Sequence, residues 1–200
     1  MIQTAHGSLS TGLDLQAGET LLIRGGTSSV GLAAALAKDL GATVLATTRR
    51  PERTGELTRR GVDHPIVDEG HVANSVRTIV PDGVDAALEL VGTPTLPDTL
   101  GAVGVHGAVC STGMLSNEWI VKDFYPIAYL ANGVRLTAYG GDARDLPASV
   151  LQHVLDRITA GSLSVPIHHV YDGLEQMRQA HADMENDAAT GKLVIRVRHQ

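Results

Sequence analysis

The chain has 200 residues, 43% of them hydrophobic and 19% charged, with a formal net charge of −6; it can bury a core as one large domain or as one domain plus an extension. Mild acidity, with no basic block or aromatic-studded stripe, argues against nucleic acid as a partner. The single cysteine, Cys110, permits no internal disulfide, and no apolar run reaches the ~18 residues of a membrane span or the layout of a signal peptide, so a soluble cytoplasmic protein is expected.

In chain order, Thr20-Leu21-Leu22-Ile23-Arg24 is a continuous apolar run that suits a strand covered on both faces. A Gly/Ser-rich turn, Gly25 to Gly31, follows and opens an Ala-rich helix over 30–40. Strands are then predicted over 43–47, 64–67, 84–88, 108–111 and 135–139, with helices over 52–60, 72–79, 95–102 and 122–131 between them. Gly41, Gly61, Gly83 and Gly107 stand just before strands as helix stops or turns. This alternation predicts an α/β fold, a doubly wound parallel six-stranded sheet with helices on both faces and strand order 3-2-1-4-5-6. The tail departs from it, with helices over 146–160 and 174–186 and β-like pieces at 167–170 and 193–197. Residues 1–160 are therefore read as a dinucleotide-binding domain and 161–200 as a C-terminal extension.

The turn reads G-x-S-x-x-G through Gly26, Ser28 and Gly31, against the dinucleotide fingerprint G-x-G-x-x-G. Its strand-turn-helix setting places backbone N–H groups and a helix dipole where a pyrophosphate can approach. Gly26, Thr27, Ser28, Ser29, Val30 and Gly31 are the candidate phosphate loop. Leu32 stands where a Walker A loop needs Lys.

The second strand ends without the carboxylate that NAD sites place on the ribose 2′-OH. Thr48, Arg49, Arg50 and Arg53 stand there instead, and guanidinium groups bind phosphate in a fork, so NADP(H) is favoured over NAD. Val91-Gly92, Thr112-Gly113 and Tyr139-Gly140 follow the next three strands, at the carboxyl edge where ligands of open α/β sheets bind. His168 and His169 are neighbours in a β-like piece and point to opposite faces, so no metal site is expected. No Tyr-x-x-x-Lys pair, nucleophile elbow or H-E-x-x-H occurs, and no catalytic residue is assigned.

Taken together, these residues resemble the medium-chain dehydrogenase/reductase superfamily in its quinone-oxidoreductase-like branch. The resemblance runs from Thr4-Ala5-His6-Gly7 and Ala17-Gly18-Glu19 through Val30-Gly31-Leu32-Ala33, Gly83-Val84-Asp85 and Glu89-Leu90-Val91-Gly92 to Thr190-Gly191-Lys192-Leu193. It implies hydride transfer between NADP(H) and a carbonyl, quinone or enone, with a small-molecule substrate. By resemblance the 26–31 loop faces the pyrophosphate and Arg49, Arg50 and Arg53 take the 2′-phosphate. Val91-Gly92 and Thr112-Gly113 then line the ribose and nicotinamide path, with Tyr139-Gly140 near the nicotinamide.

Members of that superfamily also carry an N-terminal GroES-like domain. The resemblance implies such a domain in cis or in trans, a chain inactive without it, and a homodimer joined through the edge of the sixth strand. The late β-like pieces, orphaned from that domain, are expected to pair with each other or with a second copy. A non-enzymatic NADPH-binding or sensing module is the alternative. A methyltransferase, which needs an acidic residue after the second strand, is disfavoured by Thr48-Arg49.

Overall fold

The computed structural model describes residues 1–186 and 189–197. Strand β1 (Thr20–Arg24) shows why this sheet needs cover on both faces. Leu21 and Ile23 enter one apolar cluster and Leu22 the other, and all three are fully buried. Side chains alternate faces along a strand, so an uninterrupted apolar run fits only a sheet sandwiched between helices.

The remaining strands of that sheet are β2 (Thr43–Thr48), β3 (His64–Val67), β4 (Val84–Glu89), β5 (Val103–Ser111) and β6 (Arg135–Ala138). All pairs are parallel and the order is β3-β2-β1-β4-β5-β6, the expected doubly wound arrangement. One face is covered by α1 (Ile2–Gly7), α2 (Ala33–Asp39) and α3 (Thr54–Arg59), which supply Ala5, Ala33, Ala37 and Leu57 to its cluster. The other is covered by α4 (Ala73–Ile79) and α5 (Leu96–Ala102), through Val76, Leu96 and Leu100.

α1 continues as a π-helical turn, Ser8–Gly12, and two of its glycines admit large neighbours. A Cβ on Gly7 would fall 1.9 Å from the Tyr139 ring, and one on Gly12 would fall 2.4 Å from Cys110 Sγ. Cys110 is thereby a fully buried, free core thiol in β5.

Two elements differ from the sequence expectation. β5 starts at Val103, which pairs with Val84, but regular pairing resumes only at Ala108 opposite Ala86. His106 occupies the excursion between them at φ 73. The predicted helix over 122–131 shrinks to α6, Pro126–Tyr129. Pro126 explains this: a residue before proline is pushed out of the helical region, and Tyr125 is extended at φ −107, ψ 102.

The tail comprises α7 (Ala148–Thr159), β7 (Ile167–Asp172), α8 (Met177–Glu185) and β8 (Lys192–Arg196). β7 and β8 pair with each other in parallel as a separate two-stranded sheet, with α8 in the crossover. Of the two pairings expected of the late β-like pieces, the structure shows the mutual one.

Candidate functional site

β1 delivers the chain to the carboxyl edge of the sheet, where Gly25 turns it at φ 88. Only glycine takes that conformation without strain. The loop is then stitched to β2: Gly25 N–H donates to Thr47 Oγ1 (3.1 Å) and Gly26 N–H to the Thr47 carbonyl (3.0 Å). Ser28 N–H returns to the Gly25 carbonyl, Gly31 N–H to the Ser28 carbonyl, and a 3₁₀ turn, Ser29–Leu32, runs into α2. Gly26 and Gly31 hold the loop tight. A Cβ on Gly26 would meet Ala46 Cβ at 2.8 Å, and one on Gly31 would meet the Gly26 carbonyl oxygen at 1.9 Å.

Arg60, at the end of α3, completes the loop. Its Nη1 donates to the carbonyls of Gly26 (3.2 Å) and Ser28 (3.3 Å), and its Nη2 pairs with Glu56. Burial lowers the Arg60 pKa, and the Glu56 carboxylate opposes that shift. The carbonyls are thus tied back, while Ser28 Oγ is buried without a protein partner among the described residues.

A cleft of about 660 Å³ opens along this edge. Of the residues expected to bind a cofactor, Thr27, Ser28, Ser29, Thr48, Arg49, Arg50, Arg53 and Val91 line it. Gly26, Val30 and Gly31 shape the loop from behind. Gly92 is buried beneath it at φ 125, its N–H held by Glu89 Oε1 at 3.1 Å. Thr112 Oγ1 lies 2.9 Å from Ser8 Oγ, and Gly113 backs closely onto Leu90. The Tyr139 hydroxyl accepts from Gln3 Nε2 (2.8 Å), which turns the ring toward α1, and Gly140 faces open space. The last four therefore stand off the cleft wall.

The cleft also recruits residues that the sequence reading did not single out. Asp68 and Gly70 reach it from the end of β3, Thr95 from the start of α5, and Lys192 from β8. Beneath them lies a buried polar network. Arg24 forks onto Asp68, with Nε at 2.9 Å and Nη2 at 3.1 Å from its two oxygens, and its Nη1 reaches Asp98 at 2.7 Å. Glu89 accepts the N–H of Val91 (2.7 Å) and the hydroxyl of Thr99 (2.5 Å). Burial pushes the Glu89 carboxyl pKa up, against the downward pull of those donors and of Arg24. The legible signal was a charge at each strand tip, Arg24 and Glu89, closing an apolar run.

A second cleft, of about 770 Å³, lies behind the loop among α2, α3 and residues 162–168. Of the cations that line it, Lys38 pairs with Asp63, Arg60 with Glu56 and Arg157 with Asp39, and Arg59 stands beside them. Among the described residues no three His, Cys, Asp or Glu side chains gather as a metal site. Among those residues no helix is long and apolar enough to cross a membrane.

The Schizosaccharomyces pombe protein named "Probable quinone oxidoreductase" is 31% identical over 120 residues, which span 56% of this chain and 35% of that one. The crystal structure of AibC superposes with a TM-score of 0.85 at 27% identity, over 100% of this chain and 55% of that one. The Escherichia coli quinone oxidoreductase, solved in complex with NADPH, shares the fold with a TM-score of 0.84 at 20% identity, over 97% of this chain and 62% of that one. The chain thus spans about a third of the curated relative and little more than half of these solved chains. The sequence profile of the family described as zinc-binding dehydrogenase matches residues 60–195. The chain belongs to this zinc-binding dehydrogenase family, on a doubly wound α/β fold.

Proposed function

We propose that the cleft binds NADP(H) and that the chain is the cofactor-binding domain of an oxidoreductase. One observation carries this reading: three arginines from the tip of β2, Arg49, Arg50 and Arg53, open into the same cleft as the Thr27-Ser28-Ser29 loop. The buried Ser28 hydroxyl, without a partner among the described residues, fits a pyrophosphate oxygen. The arginines fit a 2′-phosphate, which guanidinium groups hold by paired hydrogen bonds. The NADPH complex of the E. coli relative supports the same assignment.

In this reading Gly26 to Gly31 hold the pyrophosphate and Thr48 with the arginines holds the adenosine end. Val91-Gly92 borders the ribose, and Thr112-Gly113 and Tyr139-Gly140 lie further along the path to the nicotinamide. When bound, the nicotinamide supplies or takes a hydride, exchanged with a carbonyl, quinone or enone. This chain's own residues bind and orient it. Residues 1–160 form the binding domain, with Lys192 of β8 added at the cleft wall, and the extension over 161–200 packs on a partner domain, within the additional length of the relatives, which completes the substrate cleft. Two copies join through the β6 edge.

The test is a titration of the chain with NADPH and with NADH, in the wild type and in Arg49→Ala. A preference for NADPH that the substitution removes is expected. Equal affinities, unchanged by the substitution, overturn the assignment. Turnover of a quinone or enone with NADPH, once the partner domain is supplied, separates an oxidoreductase from a binding module.

A further inference from the structure

Asp68 places a carboxylate on the wall that also carries Arg49, Arg50 and Arg53. A carboxylate near an adenosine ribose is what NAD sites use to accept its hydroxyls, and it repels a 2′-phosphate. We propose that Arg24 is a specificity-determining residue that neutralises Asp68 from beneath and so lets this wall favour NADPH; the inference rests on the NADP(H) reading above.

Arg24 is the buried counter-ion of Asp68, and it is shared with Asp98. Arg24 is the last residue of β1, and its side chain is fully buried, while that of Asp68 is 8% exposed on the cleft side. Nε and Nη2 meet the two Asp68 oxygens at 2.9 and 3.1 Å, the fork that only a guanidinium makes. The remaining donors are anchored elsewhere. Nη2 reaches the Gly70 carbonyl (3.2 Å), and Nη1 reaches Asp98 (2.7 Å), the Thr95 carbonyl (3.1 Å) and Thr99 Oγ1 (3.1 Å). Arg24 therefore cannot swing into the cleft to meet a phosphate itself. It acts through Asp68, and a buried pair is little screened by salt.

A purely structural role for the pair predicts equal losses of NADPH and NADH affinity on mutation. Charge neutralisation predicts a signed change in their ratio. Dissociation constants for both cofactors, measured by fluorescence titration, should show the NADPH preference falling about fivefold in Arg24→Gln. It should rise about fivefold in Asp68→Asn and return near wild type in the double variant; this is the effect of one unit charge several ångströms away in a partly solvated site. If Arg24→Gln fails to fold by circular dichroism, Asp68→Asn still carries the sign, because it leaves Arg24 in place. A wild type that prefers NADPH, with a ratio unmoved in Asp68→Asn, overturns the role of Arg24 alone. A wild type with no preference for NADPH overturns the cofactor reading and this inference with it.

Discussion

Gly31 stands against Gly26 so closely that a Cβ on Gly31 would lie 1.9 Å from the Gly26 carbonyl oxygen. The obstacle is backbone on both sides, so the loop or α2 must move to admit any side chain. Gly31→Ala should cost about 1–3 kcal/mol, the usual range for overpacking, and weaken NADPH binding at least tenfold by displacing the loop. Gly101→Ala is the matched control, since a Cβ there would meet only Ala73 Cβ, at an ordinary 3.8 Å. Urea unfolding and NADPH titration of the two variants check this; similar behaviour in both would refute the packing argument.

Arg60 touches the loop through carbonyls, whereas Arg49 lines the cleft. Their removal should therefore differ in kind. Arg60→Met frees two carbonyls and leaves Glu56 unpaired in a half-buried position, a loss of about 1–2 kcal/mol in unfolding free energy. It should weaken NADPH and NADH alike. Arg49→Ala should weaken NADPH alone. A selective effect of Arg60→Met would contradict the clamp.

The sheet was legible because its signals are local. An apolar run such as Leu21-Leu22-Ile23, followed by a glycine turn and an alanine-rich helix, states strand, turn and helix within one short window. β5 was misjudged at its start because its excursion depends on pairing with β4, nineteen residues away at Val84. The helix over 122–131 failed for a local reason that the sequence did contain, the proline at 126. The arginines after β2 were legible by type and position. The ion pairs of Arg24 were not: its partners Asp68 and Asp98 lie 44 and 74 residues further on, and only the folded sheet brings them beneath one cleft. Tyr139 shows the converse, a strand-tip residue whose ring is claimed by Gln3 and Gly7 at the other end of the chain.

Glu89 should leave a signature in stability against pH. Its folded pKa is raised above the ordinary 4.5 by burial, so the native state holds this proton more tightly than the unfolded chain does. Its contribution is then complete below about 4.5 and is lost as pH rises through the folded value, because the native state binds more protons across that window. Glu89→Gln keeps an acceptor for the N–H groups of Val91 and Gly92 and cannot ionise. It should flatten the decline of unfolding free energy above pH 4.5 and match or exceed the wild type at pH 7. Parallel pH profiles for the two proteins, measured by urea denaturation, would rule out Glu89 as their source.

The proposed dimer can be tested without disturbing the protomer. β6 pairs with β5 on one side only, and Tyr139 N–H already donates inward to the Ser111 carbonyl at 3.2 Å. Alternation along the strand then directs the N–H of Ala138 outward, to the free edge. Proline removes one N–H and is tolerated on edge strands. Ala138→Pro should therefore leave the fold and the NADPH affinity unchanged while converting a dimeric mass to a monomeric one in light scattering. A wild type that stays monomeric at high concentration refutes the dimer, and a variant that stays dimeric places the contact elsewhere.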